Sequence, residues 1–158
     1  TMGRACGGLC ASCQRMYDFQ RGNLNFNLDK LKPEGNWNER LQKIMSYWSK
    51  DAQLRDILIT GGDALMSSDR SLQHILDAVY EIAVEKRERN KSLPEGEKLA
   101  EIERVRLGTR LPVYLPQRIT PKLTGVLAEF KARASKIGVK QFVVQTSHPY
   151  LLRLLWTC

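Results

Sequence analysis

The feature that most constrains this chain is a run near its start, Cys6-Gly-Gly-Leu-Cys10-Ala-Ser-Cys13, which gathers three of its four cysteines. Four cysteines would make a plausible disulfide set in a small secreted protein, but crowding of this kind in a cytosolic chain points to metal. A cubane of four irons has four corners; three thiolates on one short loop hold three and leave one iron without a protein ligand. An open iron of that kind can take a cofactor. The spacing, three residues and then two, differs from the paired C-x-x-C knuckles of structural zinc sites, which need a second knuckle to close a tetrahedron. No second knuckle occurs in the sequence, so the zinc alternative depends on the lone Cys158. Gly7 and Gly8 suit a loop wrapped around a cluster, because such a loop calls for positive backbone dihedrals and for amides brought close to sulfur.

A length of 158 residues and 42% apolar content allow one compact domain with a core of its own. The start, Thr1-Met-Gly-Arg-Ala-Cys6, has no basic segment followed by an apolar one, and no long apolar run follows, so a cytoplasmic location away from membranes is expected. The net charge of +8 raises the question of nucleic acid. Its basic residues are interleaved with acids, as in Glu85-Lys-Arg-Glu-Arg89, which describes a solvated helix face better than a binding stripe.

Asp56-Ile-Leu-Ile-Thr60 is a short apolar run ending in two glycines, the pattern of a strand covered on both faces of a parallel sheet. Val105-Arg-Leu107 and Gln141-Phe-Val-Val-Gln145 read the same way. Helical spacing lies between them. Asn36 and Glu39 form a capping box ahead of Leu41, Ile44 and Trp48. Leu72, Ile75, Leu76, Val79 and Ile82 make one stripe beginning near Ser68-Asp69. Thr120 caps a third helix with Pro121 at its first position, Leu123, Leu127 and Phe130 inward, and Gly138 past its end. Residues 1–5 resemble the end of another strand, which leads directly into the cysteine loop. Strand and helix in alternation give an α/β fold: a partial TIM-type barrel of about four parallel strands with outer helices, roughly half of the usual eight. Residues 1–146 form this core, with exposed insertions near 20–36 and 86–101, and 147–158 form an atypical tail. The lysines at 122, 131 and 136 fall on or near a helix surface, exposed to solvent.

Thr60-Gly61-Gly62-Asp63 stands at the carboxyl end of a buried strand, the edge at which parallel α/β folds bind ligands. Two glycines there leave backbone groups open to a small zwitterion such as a methionine moiety. Alone, the turn is weak. With the cysteine loop after the preceding strand, both motifs face one mouth.

Taken together, Cys6-x-x-x-Cys10-x-x-Cys13, the stretch from Asp56 to Leu65 and the block Arg106-Leu-Gly-Thr-Arg-Leu-Pro-Val-Tyr-Leu-Pro-Gln-Arg-Ile-Thr-Pro121 resemble the lysine 2,3-aminomutase (KamA-like) family of the radical S-adenosylmethionine superfamily. The resemblance runs over about residues 3 to 146 outside the insertions and corresponds to the N-terminal half of the family's barrel. It implies that Cys6, Cys10 and Cys13 hold a [4Fe–4S] cluster whose open iron is chelated by S-adenosylmethionine. It further implies that Gly61, Gly62 and Asp63 receive the methionine amino group, with Arg110 and Gln117 near the cofactor pocket. Arg15 corresponds to an arginine that pairs with the substrate carboxylate, a bidentate role suited to a planar guanidinium. The implied activity is isomerisation: a 5′-deoxyadenosyl radical abstracts hydrogen from an amino acid held on pyridoxal phosphate, and the amino group migrates between neighbouring carbons.

The same resemblance implies a small amino-acid substrate and a flavodoxin- or ferredoxin-type reductant. Relatives acting on glutamate or on a protein-bound lysine are alternatives, as is a zinc-binding module without redox chemistry. The family's pyridoxal phosphate lysine has no counterpart here, and the isolated chain is expected to be inactive and, with an uncovered strand edge, prone to self-association. Departures from the family pattern are Ser12 before the third cysteine, Gln145-Thr-Ser-His148-Pro149 where a Thr-His-Phe run is expected, and the ending Tyr150 to Cys158. Anaerobic reconstitution with iron and sulfide is expected to give a brown protein with about four irons per chain. A colourless protein holding a single zinc would instead establish the scaffold alternative.

Overall fold

A computed structural model of the chain describes residues 36–146. The expected first strand, the cysteine loop, nearly all of the insertion at 20–36 and the tail lie outside the described residues. Elements follow in the order α1 (Trp37–Lys50), β1 (Asp56–Ile59), α2 (Asp69–Ser92), β2 (Arg104–Thr109), the short α3 (Leu111–Tyr114), α4 (Pro121–Lys136) and β3 (Gln141–Thr146). Single 3-10 turns at Ala64–Met66, Glu95–Glu97 and Pro116–Arg118 join them.

The expected caps form. Asn36 Oδ1 accepts from the Glu39 amide at 2.9 Å and Glu39 Oε2 from the Asn36 amide at 3.2 Å, closing the capping box of α1. Ser68 accepts from the Ser71 amide at the start of α2, and Thr120 from the Leu123 amide ahead of Pro121 at the start of α4. Gly138, just past α4, has φ of +88°, and a side chain there would collide with Arg87 Nη1 at 2.5 Å. The positive φ is what calls for glycine, since the Arg87 guanidinium is the exposed end of a flexible side chain and can move aside.

The three strands are parallel in the order β1-β2-β3. Register places Ile57, Val105 and Phe142 in one row and Ile59, Leu107 and Val144 in another. Because side chains alternate across a strand, these rows share the sheet face on which the helices pack. Ile57, Ile59, Val105 and Leu107 join Leu72, Ile75, Leu76 and Val79 of α2 and Leu123 and Phe130 of α4 in one core. Phe130 meets Phe142 edge to face at 4.9 Å. Leu58 and Val143, in the same row on the opposite face, are 44% and 41% exposed. The residues described form a three-stranded parallel α/β layer compatible with part of a barrel. No described helix is long and apolar enough to cross a membrane. The lysines at 122, 131 and 136 are exposed, as expected.

Two expectations need correction. The stretch from Lys86 to Ala100 is not an exposed insertion throughout. α2 continues to Ser92, since the run of Glu, Lys and Arg favours helix until Pro94 ends it. Lys86 is fully buried there, its Nζ donating to the carbonyls of Asp51 at 2.6 Å and Ala100 at 3.2 Å. Arg89 donates to the Ser49 carbonyl at 2.9 Å, and Asn90 both donates to and accepts from Leu99 at 2.8 Å. The charged composition concealed a strut that fixes the end of α1 and the approach to β2. Similarly, β1 and β3 are not covered on both faces among the described residues: Leu58 and Val143 are exposed, and Leu58 lines an open cavity of about 410 Å³ with Trp37, Leu41, Ile44, Trp48 and Thr60.

Burial pushes the Lys86 ammonium below the ordinary lysine range, with Asp51 opposing that shift, Arg89 adding to it and Glu85 opposing it. Between that lowered value and the 10.5 of an exposed lysine, the unfolded chain holds more protons, so stability rises with pH across this window. Lys86→Met removes the donor to two carbonyls and is expected to destabilise the fold at neutral pH by about 1–3 kcal/mol in urea unfolding. The variant should also lack the alkaline rise expected of the parent.

Candidate functional site

Because β1 and β2 are parallel neighbours, with Ile59 opposite Leu107, the loops that follow them leave the same end of the sheet. The first loop is Thr60-Gly61-Gly62-Asp63; the second begins at Arg110 and runs through α3 to Thr120. Asp63 joins them. Its Oδ1 accepts from the Leu65 amide at 3.0 Å and the Thr109 hydroxyl at 2.6 Å. Its Oδ2 accepts from the Arg110 amide at 2.6 Å and the Tyr114 hydroxyl at 3.1 Å. Asp63 is only 5% exposed, and a carboxylate at that depth is tolerated when its lone pairs are occupied. Thr109 is itself oriented, since its hydroxyl also accepts from the Leu111 amide at 3.1 Å.

Arg118 makes a second tie between the same loops. Its Nε donates to the Leu65 carbonyl at 3.1 Å, and its Nη2 to the Ser67 carbonyl at 2.9 Å and to Asp69 Oδ1 at 2.5 Å. The guanidinium thereby grips the 3-10 turn after Asp63 and the first residue of α2.

Gly61 and Gly62 are half-buried in a bend beside these ties. Among the described residues only Gly138 has a positive φ, so left-handed backbone does not account for glycine at 61 and 62. Two residues without side chains leave the peptide planes there open to the approach of another group.

Of the residues singled out by sequence, Gly61, Gly62, Asp63, Arg110 and Gln117 come together in the loops after β1 and β2. Arg110 contributes its amide to Asp63, and Gln117 lies exposed on the Pro116–Arg118 turn. Cys6, Cys10, Cys13, Arg15, His148 and Cys158 lie outside the described residues. Among the described residues no group of three or more His, Cys, Asp or Glu could hold a metal ion. Thr109, Tyr114 and Arg118 stand within the resembling block, but sequence alone did not single them out. The only local signal was a hydroxyl at the end of a buried strand, and its partner is fixed by the parallel pairing.

At the opposite, amino end of the strands, Asp56 pairs with Arg104 at 3.4 Å and Arg106 at 3.0 Å, and Glu103 with Lys140 at 3.1 Å. Among the described residues that rim carries ion pairs around a small opening.

The diglycine turn and the loops cross-tied around it lie at the carboxyl edge of a parallel sheet, the edge at which α/β proteins bind ligands. No protein-family model matches the chain. It is 38% identical over 92 residues to L-lysine 2,3-aminomutase of Clostridium subterminale, covering 58% of the chain and 18% of that protein. It is 31% identical over 125 residues to glutamate 2,3-aminomutase of Clostridioides difficile, covering 79% of the chain and 23% of that protein. An uncharacterised KamA-family protein of Methanocaldococcus jannaschii is 28% identical over 127 residues, 80% of the chain. The chain is a KamA-like sequence, similar to lysine and glutamate 2,3-aminomutases, and spans about a fifth of the length of the curated relatives it matches.

Asp63→Asn keeps the shape but turns one acceptor into a donor facing donors. It is expected to destabilise the chain by about 2–3 kcal/mol, read as a lowered urea midpoint with unchanged slope.

Proposed function

We propose that this chain is part of a radical S-adenosylmethionine barrel whose diglycine turn receives the methionine end of the cofactor. The observation that carries the proposal is the Gly61–Gly62 turn, held at the carboxyl edge of β1 by Asp63, in a KamA-like chain. The fit is chemical as well as positional. An ammonium group asks for backbone carbonyls without side chains in the way, and the two glycines supply that opening. The carboxylate of Asp63 has its two oxygens occupied by four donors within the protein, so its part in the site is to set the turn. Cys6, Cys10 and Cys13 would hold the [4Fe–4S] cluster, and Arg110 and Gln117, on the neighbouring loop, stand on the same rim.

When bound, the cluster and S-adenosylmethionine supply one-electron chemistry that yields a radical able to abstract hydrogen from an unactivated carbon. The chain's own task is to hold the reacting groups close and to keep water away from them. For the whole protein we infer 1,2-amino migration in an amino acid, with pyridoxal phosphate and a one-electron reductant as further requirements. Lysine is the substrate favoured by the 38% identity to the lysine enzyme, whereas the longer match to the glutamate enzyme supports the second reading. Both substrates carry an α-carboxylate, the group that Arg15 would grip, so that assignment serves either.

The test is binding of S-adenosylmethionine to the anaerobically reconstituted chain, followed by calorimetry and by the electron paramagnetic resonance of the reduced cluster. Binding that alters the cluster signal is expected, and Gly62→Val should weaken it more than about tenfold with iron content unchanged, a loss of at least about 1.4 kcal/mol. A parent chain that assembles the cluster yet leaves its signal untouched by the cofactor sinks the reading.

A further inference from the structure

We propose that Thr109 and Tyr114 are positioning residues for the ligand of the Gly61–Gly62 turn, acting through the carboxylate of Asp63, which their hydroxyls grip one on each oxygen. The proposal rests on the reading of that turn as the S-adenosylmethionine site.

The geometry is specific. Asp63 directly follows the diglycine turn, so the orientation of its peptide fixes one end of the Gly61–Gly62 segment. Glycine resists rotation less than any other residue, and a turn built from two of them does not hold its own carbonyls in one direction. Rigidity has to come from outside. Two of the four donors to Asp63, the amides of Leu65 and Arg110, are backbone groups that any sequence would provide. The other two are side-chain hydroxyls that only particular residues supply: Thr109 at the last position of β2 and Tyr114 at the last position of α3. The Thr109 contact, at 2.6 Å, is the shorter of the two hydroxyl contacts. It is also sealed, since Thr109 and Asp63 are each 5% exposed. Tyr114 reaches the same carboxylate from the solvent side, with its ring 36% exposed at the rim.

A bare structural staple between the loops already exists in Arg118, which holds Leu65, Ser67 and Asp69 without touching Asp63. The loops would therefore stay joined without the two hydroxyls. What the hydroxyls add is a fixed direction for the carboxylate, hence for the peptide that leads back into the diglycine turn. The predicted signature is a loss of ligand affinity larger than any loss of fold.

The experiment uses the reconstituted chain, under conditions in which circular dichroism shows each variant fully folded. Thr109→Val keeps the shape and removes the hydroxyl; Thr109→Ser restores it; Tyr114→Phe removes the second hydroxyl at an exposed position where folding is least at risk. Iron content is expected to be unchanged in all three. The dissociation constant for S-adenosylmethionine should rise about tenfold in Thr109→Val, rise several-fold in Tyr114→Phe and return to within about twofold of the parent in Thr109→Ser. The cofactor-induced change in the cluster signal should follow the same order. Should Thr109→Val fail to fold, the Tyr114→Phe and Thr109→Ser comparison decides. If the parent binds the cofactor and the hydroxyl-deleted variants bind it equally well, the positioning role is overturned while the cofactor site stands. If the parent itself does not bind, the reading of the turn is overturned and the positioning role falls with it.

Discussion

A carboxylate taken out of water must find donors for nearly all its lone pairs, and the structure is arranged around how Asp63 meets that demand. Its donors come from both sides of the strand pairing: Leu65 from its own loop, and Thr109, Arg110 and Tyr114 from the chain leaving β2. None of these groups arrives unless β1 and β2 lie parallel and in the register that sets Ile59 beside Leu107. The polar hub thus reads out the correctness of the apolar core beneath it. A slip of one residue would turn the buried rows outward and would also scatter the four donors.

Distance from this hub does not mean looseness. α2 extends past the sheet it covers, and its far end is held by cations and an amide that satisfy carbonyls at the end of α1 and in the strand approach. The last carbonyls of a helix have no partners of their own. Here, Lys86 and Arg89 supply donors to carbonyls at the end of α1 and just beyond it. α2 and α4 are in turn tied by Arg133, which pairs with Asp77 at 2.8 Å and lies over the Tyr80 ring. The helical layer is therefore cross-linked on its outer side, while the sheet is cross-linked at its two rims.

Much of this was legible in the sequence where a residue's role is decided by its near neighbours. Asn36 with Glu39, Thr120 with Pro121, and Gly138 after the last turn each announce a helix boundary by local chemistry, and each sits where that chemistry requires. The apolar run from Ile57 to Ile59 likewise marks a strand, but among the described residues only the face of Ile57 and Ile59 is covered, while Leu58 is exposed. Roles that depend on distant partners were not legible. Lys86 belongs to a stretch whose composition describes a solvent face, and only the carbonyls of Asp51 and Ala100 give it a buried one. Thr109 and Tyr114 are unremarkable until β2 is laid against β1, more than forty positions away from Asp63 in sequence. Within the candidate site, the diglycine turn was visible as a motif, whereas the inward commitment of the Asp63 side chain beside it was not.

The two rims of the sheet are built from different materials. Among the described residues the amino rim is tied by ion pairs among Asp56, Arg104, Arg106, Glu103 and Lys140, and the carboxyl rim by hydroxyls, backbone amides and residues lacking side chains. Genetic drift meets these rims differently. A charge reversal at the first can be answered by a compensating reversal next to it, so many sequence pairs serve equally and lineages can wander. At the second, a hydroxyl has few substitutes. Change at that rim would have to proceed by residues further along the loops, leaving the tie around one acidic side chain in place.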